Sequence, residues 1–278
     1  MQYDQKTPLI VDRPAVPSLP TVAWYRRLNT LNISLILFLL LVIFSLTALK
    51  GSDRDIDVWA SLLRFMSAFA RPDFSIWPQI LKALLETVEI AVLATFFSAM
   101  ISFALALGAA QSLSPFWLVL MVRMLLNVIR TIPSLIWALL AVAVLGANPL
   151  AGVVGLTFYS IGYLAKFYSE AFESIDMEIA HSLRALGADW LQAFQFGLWP
   201  SVKPLIWSHS LWMLEYNIRS ASIIGYVGAG GIGLQLYIYQ EFGAWSRFGT
   251  VLLFILAIVI LLDLLGERIR RELTKMCR

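Results

Sequence analysis

Charge is what this sequence has least of. Asp, Glu, Lys and Arg make up 14% of its 278 residues, against 59% hydrophobic, and the mean hydropathy is +0.77. Soluble domains are about 25% charged, so so apolar a chain is solvated by lipid rather than by water. Cysteine is nearly absent. Cys277, at the extreme C-terminus, is the single one, which excludes an intrachain disulfide framework and a cysteine metal site. His181 and His209 are too few and too far apart for a metal centre. The formal charge of +3 is not gathered into a stripe, which argues against nucleic acid as a partner. No G-x-x-x-x-G-K-S/T loop occurs, so the chain has no ATP site of its own. Gly228 to Gly233 fits G-x-G-x-x-G, yet it follows an apolar helix instead of a strand and reads as a tight outer turn. A clustered His/Asp/Glu set and a nucleophile–base pair are both lacking, which speaks against an enzyme.

What is present is a series of apolar stretches of membrane-spanning length. Six are predicted, at about residues 33–49, 81–107, 116–145, 150–168, 205–226 and 248–266. They give an all-α integral membrane domain over residues 29–278, behind a polar, proline-bearing tail at 1–28. The tail is no cleavable signal, because the apolar run comes too late and no small-residue cleavage site follows it. Lys6, Arg13, Arg26 and Arg27 precede the first stretch, and Arg268, Arg270, Arg271, Lys275 and Arg278 follow the last. Basic flanks face the cytoplasm, so both termini are predicted inside. Residues 50–78, 146–149 and 227–247 then lie outside, the first as an amphipathic connection and the last as a loop. Pro133 interrupts the third stretch, where Thr131 and Ser134 can satisfy the backbone groups it frees. The fourth carries Gly152, Gly155, Ser160 and Gly162, small residues that let helices approach closely in lipid.

One long polar-rich segment, residues 170–200, interrupts the apolar C-terminal two thirds. Apolar residues recur at helical spacing up to Leu186, and Trp190, Phe194 and Leu198 recur every four residues. Gly187 between the two patterns reads as a turn, since glycine alone takes positive φ freely. Pro200 is expected to end the second helix. The segment is thus a helix-turn-helix that suits docking of a soluble partner.

Aligned on Gly187, this loop resembles the cytoplasmic motif E-A-A, three residues, G, nine residues, I-x-L-P of the membrane subunits of ATP-binding cassette importers. The glycine, the proline and their spacing match; His181-Ser182-Leu183 stands where E-A-A would, and Gly197-Leu198-Trp199-Pro200 where I-x-L-P would. Leu126 to Leu140, Phe167 to Ala171, Leu214 to Ala221 and Gly225 to Gly233 resemble the phosphonate-type branch, and the likeness covers about residues 80–275. Methionine importers share the R-x-I-P and V-G-A-G-G-x-G elements, so a methionine-like amino-acid permease is the alternative. The resemblance implies a bacterial inner-membrane permease with a second, identical or related permease beside it. It implies two cytoplasmic ATPases holding ATP-Mg, an extracytoplasmic substrate-binding protein, and phosphonate, phosphite or hypophosphite as cargo. It places ATPase docking on Glu170, Arg184, Ala185, Gly187, Ala188 and Pro200. No cofactor or metal is expected in this chain.

Charges inside spans carry the rest. An arginine at mid-membrane costs at least about 2.5–3.5 kcal/mol, so it faces a bundle interior or an aqueous path. Arg130 has no local partner, whereas Glu215 lies one helical turn before Arg219 and can clamp it. The competing reading is that Arg130, Ser134, Glu215, Asn217, Arg219 and Ser220 line the route of an oxyanion, whose oxygens suit a guanidinium fork.

Overall fold

The computed structural model describes residues 30–46, 57–69 and 71–275. The N-terminal tail, the end of the first predicted span and residues 276–278 lie outside these. Regular structure among the described residues is helical throughout. The chain forms two compact units, Met1–Asp57 and Val58–Arg278. The first contains α1 (Thr30–Leu46), an uncharged apolar helix with no buried residue.

The second unit begins with α2 (Val58–Phe69), packed on α11 through Phe65 and Trp245, whose rings lie 5.3 Å apart. Its spine is α3 (Trp77–Ala109) against α6 (Pro149–Glu173). α3 starts at a proline in its first turn, where the missing N–H is no loss. It turns Ala83, Ala91, Ala94, Ser98, Ser102 and Ala106 inward. α6 is capped by Asn148, whose Oδ1 accepts from the Ala151 N–H at 3.1 Å. Its glycines do what small residues in lipid are expected to do. A Cβ at Gly155 would stand 2.7 Å from Ala138 Cα, and one at Gly162 2.7 Å from Arg130 Cγ.

Ile132-Pro133 breaks the third apolar stretch into α4 (Phe116–Thr131) and α5 (Ser134–Leu145), bent by 86°. Two freed carbonyls are met locally: Thr131 Oγ1 donates to Val128 O at 2.7 Å and Trp137 Nε1 to Ile129 O at 3.3 Å. Among the described residues the Ser134 hydroxyl meets none, so only Thr131 takes the role expected of both.

α7 (Glu178–Ala185), the turn at Gly187, and α8 (Trp190–Ala193) follow. α8 runs through a π turn, Phe194–Leu198, straight into α9 (Trp199–Ile224). Pro200 therefore does not end a helix. It sits in the first turn of α9, and Pro204 is accommodated inside that helix. The predicted outer loop 227–247 is also corrected. After a 3₁₀ turn at Gly225–Val227 it contains a helix, α10 (Ile232–Glu241), before α11 (Trp245–Lys275).

Among the described residues three helices are long and apolar enough to cross a membrane, or five when each bent pair is one span. α1, with 17 residues, is shorter. Contacts sort the ends of the unit. Asp73, before α3, pairs with Arg247 on α11 at 3.1 Å, and its N–H donates to Thr250 Oγ1 at 2.8 Å. At the other end, Glu173 of α6 accepts from the Gln111 N–H and pairs with Arg123 of α4.

Candidate functional site

Two places on the second unit carry polar chemistry. The first is the helix-turn-helix. Gly187 has φ +97°, a value side-chain-bearing residues avoid, while its added Cβ would meet nothing within 4 Å. The Gly187 N–H donates to Arg184 O, and the Ala188 N–H reaches back to Leu183 O at 3.1 Å, closing α7. Asp189 opens α8 with a reciprocal box: it accepts from the Gln192 N–H while Gln192 Oε1 accepts from its own N–H. Ala180, Ala193 and Leu198 form the inner seam between the two helices. The outer face leaves large apolar side chains uncovered among polar ones, with Leu186 85% exposed, Phe196 68% and Leu191 62%. Of the docking residues named from sequence, Arg184, Ala185, Gly187 and Ala188 come together at this tip. Glu170 belongs to α6 and pairs with Lys166 at 3.4 Å, and Pro200 belongs to α9.

The second place runs from α4 across α6 and α9 to α11. The Arg130 guanidinium lies 4.7 Å above the centre of the Tyr163 ring, and its Nε is buried with no hydrogen-bond partner. Tyr163 continues into stacked aromatics: Tyr159 lies 5.2 Å from Tyr216, and Phe167 5.1 Å from His209. The Glu215–Arg219 clamp does not form. Arg219 pairs instead with Asp263 of α11 at 3.2 Å, and Glu215 with Arg270. Room for the second pair exists because residue 266 is glycine: a Cβ there would overlap Glu215 Oε1. Asn217 is wholly buried, donating to Thr95 Oγ1 at 2.9 Å and accepting from Ser160 Oγ at 3.0 Å. Ser220 is also buried. Asp263, Arg270 and Tyr163 had no signal in the sequence beyond their charge or ring, since their partners lie far along the chain.

Residues 100–275 match the family described as the inner membrane component of binding-protein-dependent transport systems. The chain belongs to this family. The permease is 30% identical over 252 residues to the phosphite transport system permease protein PtxC of Stutzerimonas stutzeri, covering 90% of this chain and 91% of that one. It is 33% identical over 192 residues to the phosphate-import permease protein PhnE of Mycolicibacterium smegmatis, covering 68% of this chain and 36% of that one. Among solved structures, the permease fold resembles a chain of the inward-facing MetNI methionine ABC transporter, with TM-score 0.62, 24% identity, and coverage of 70% and 95%. Fold and family agree on an all-α permease subunit of an ATP-binding cassette importer.

Proposed function

We infer that this permease carries a phosphorus oxyanion, phosphite or a phosphonate, into the cytoplasm. The observation that carries this reading is Arg130. It is a guanidinium among apolar helices, held by an aromatic face and, among the described residues, by no carboxylate, with one nitrogen left unsatisfied. A half-buried cation without a counter-charge is costly between apolar helices, and a passing oxyanion is the partner that would complete it. Ser134 opens α5 next to the same break and adds a free hydroxyl. Arg219 and Glu215 are held by α11, so an anion reaching Arg219 has to compete with Asp263. Asn217 and Ser220, both buried, set the packing around this route. The relatives are named for phosphite and phosphate import, whereas the likeness to a methionine transporter lies in the fold.

Around this path we place a second permease, two ATPases carrying ATP-Mg, and a substrate-binding protein at the Asp73–Arg247 end. The exposed apolar tip at Leu186, Leu191 and Phe196 offers the ATPase a surface. With each bent pair counted as one span, α1 would be a sixth and bring both termini to the cytoplasm. ATP closing the ATPases stabilises one global state and hydrolysis the other, so this chain does no covalent chemistry. The test is uptake in vesicles containing the full complex. Labelled phosphite should accumulate with ATP and be competed by phosphonates but not by methionine. Arg130→Gln should assemble normally and lose at least about tenfold in uptake, the loss expected for one charged hydrogen bond. Methionine uptake, or full phosphite uptake by Arg130→Gln, would overturn the reading.

A further inference from the structure

A cavity of about 210 Å³ lies between the α3–α4 connection and the helix-turn-helix. Its wall carries Ser112 and Leu113 from the connection, His181 and Arg184 from α7, and Trp190 and Phe194 from the run beyond Gly187. Ser112 Oγ is buried and has no hydrogen-bond partner, so a hydroxyl is turned into protein with nothing to meet it. His181 and Arg184 are three residues apart on α7 and therefore share a face. Neither makes an ion pair or side-chain hydrogen bond among the described residues. No carboxylate lines the cavity. Of the nearby acids, Asp189 accepts from the Gln192 N–H and Asp176 from the Glu178 N–H, while Glu178 is exposed in the first turn of α7 and does not line the cavity. His181 also stands where the importer motif would carry glutamate, so the one acid expected here is replaced by a potential cation.

We propose that this cavity binds a small tetrahedral phosphorus oxyanion on the face of the permease opposite the Asp73–Arg247 lock. An exposed guanidinium fork and imidazole beside one acid-free space, with an unsatisfied hydroxyl buried in its wall, are groups such an anion needs. The connection that bears Ser112 is firmly placed, because Glu173 holds the Gln111 N–H and Arg123, and Arg123 in turn holds Ala109 O. An anion bridging Ser112 to Arg184 would tie α7 to that fixed connection and stiffen the Gly187 turn. The accumulated cargo would thereby act on the element that we assign to ATPase docking. That regulatory consequence rests on the docking reading; the site itself does not.

The experiment measures binding of labelled inorganic phosphate to the full-length permease alone, in zwitterionic detergent without ATPase or binding protein. A saturable site is expected. Arg184→Gln should weaken it about tenfold and Ser112→Ala about fivefold, the losses of one charged and one neutral hydrogen bond. Arg130→Gln should leave this site in place, which separates it from the transport path. Repeating the measurement in nanodiscs with and without anionic lipid distinguishes free phosphate from a lipid headgroup: competition by anionic lipid would assign the headgroup as the natural ligand of the same site. Absence of saturable binding, or binding unchanged in both the Arg184 and Ser112 variants, would overturn the proposal. Co-purification of the ATPase is scored separately. If Arg184→Gln abolishes co-purification while the isolated wild-type chain binds no phosphate, the cavity is a protein contact and the anion site is refuted. If phosphate binds and co-purification is unchanged, the site stands and the docking role of Arg184 fails.

Discussion

Two glycines show that space and backbone shape are separate demands. Gly155 has ordinary helical geometry and no room, because its missing Cβ lets α6 touch the backbone of α5 at Ala138. Gly187 has all the room a side chain needs and a backbone shape that side chains avoid. Gly155→Val should therefore destabilise the purified chain by about 1–3 kcal/mol or more through overpacking, read as a fall in thermal unfolding temperature. Gly187→Val should leave that temperature nearly unchanged, since the strain is local and about 1–2 kcal/mol. ATPase co-purification and uptake should fall together in the second variant. Intact docking in Gly187→Val would remove the turn from that role. Asp73 offers a prediction in pH. Hydrogen bonds from Ser75, and then Arg247, hold its carboxyl below the usual carboxylate range. A depressed folded pKa means that the contact contributes above the unfolded value of about 3.9 and is lost only as pH falls through the lower, folded value. With Cys277 replaced, spin labels on single cysteines at positions 74 and 246 should thus keep one separation between pH 5 and 8, Arg247 being left in place. Asp73→Asn should loosen the contact throughout that range; a transition near neutral pH would contradict the assignment.

Elements were legible where the cause was local. The apolar runs, the break at Pro133 and the turn at Gly187 each follow from residues within a few positions of one another. Pro200 was misread because proline suits the first turn of a helix as well as the position after its end. α10 was missed because Gly231 and its neighbours read as a loop, and nothing local says that Ile232 will find the Thr87 hydroxyl across the bundle. The charges of α9 were misassigned for the same reason. Glu215 sees Arg219 in sequence, but the fold offers Arg270 and Asp263 instead. The two pairs should differ in weight. The Glu215 side chain is only 10% exposed, while Arg219 and Asp263 are 42% and 48% exposed. A half-exposed pair is worth at most about 1 kcal/mol, whereas loss of one partner of a nearly buried pair costs several times that. Glu215→Gln should lower the unfolding temperature clearly more than Asp263→Asn, and Glu215→Gln with Arg270→Gln together should recover part of the loss. Equal effects of the two single changes would show that burial does not rank these pairs.

For the whole molecule, the contacts fix which ends of the helices share a face. Asp73 and Arg247 meet at one end, and Gln111, Arg123 and Glu173 at the other. With Cys277 replaced, single cysteines at Ser75 and Gly243 should label from one side of an intact vesicle. Cysteines at Gln111 and Gly187 should label only from the other. Labelling of residues 75 and 187 from the same side would overturn the topology. The candidate path was only half readable at this scale. Arg130 stood out as a lone charge in an apolar run, but its Tyr163 partner and the aromatic stack beyond it exist only once α4, α6 and α9 are assembled.

The seams of this bundle are not equally stiff. At Gly155 and Ala138, and again at Gly152 and the carbonyl of Ala229, main chain lies against main chain, with no side chain between to bend or turn. Sliding there would drive atom into atom, so α5, α6 and the glycine-rich turn behave as one solid part. Between α9 and α11 the surfaces are joined by long ionic side chains whose many torsions can follow a displacement without letting go. Of these seams, the one between α9 and α11 is the more compliant. A disulfide between positions 219 and 263 should seize that joint and arrest the stroke.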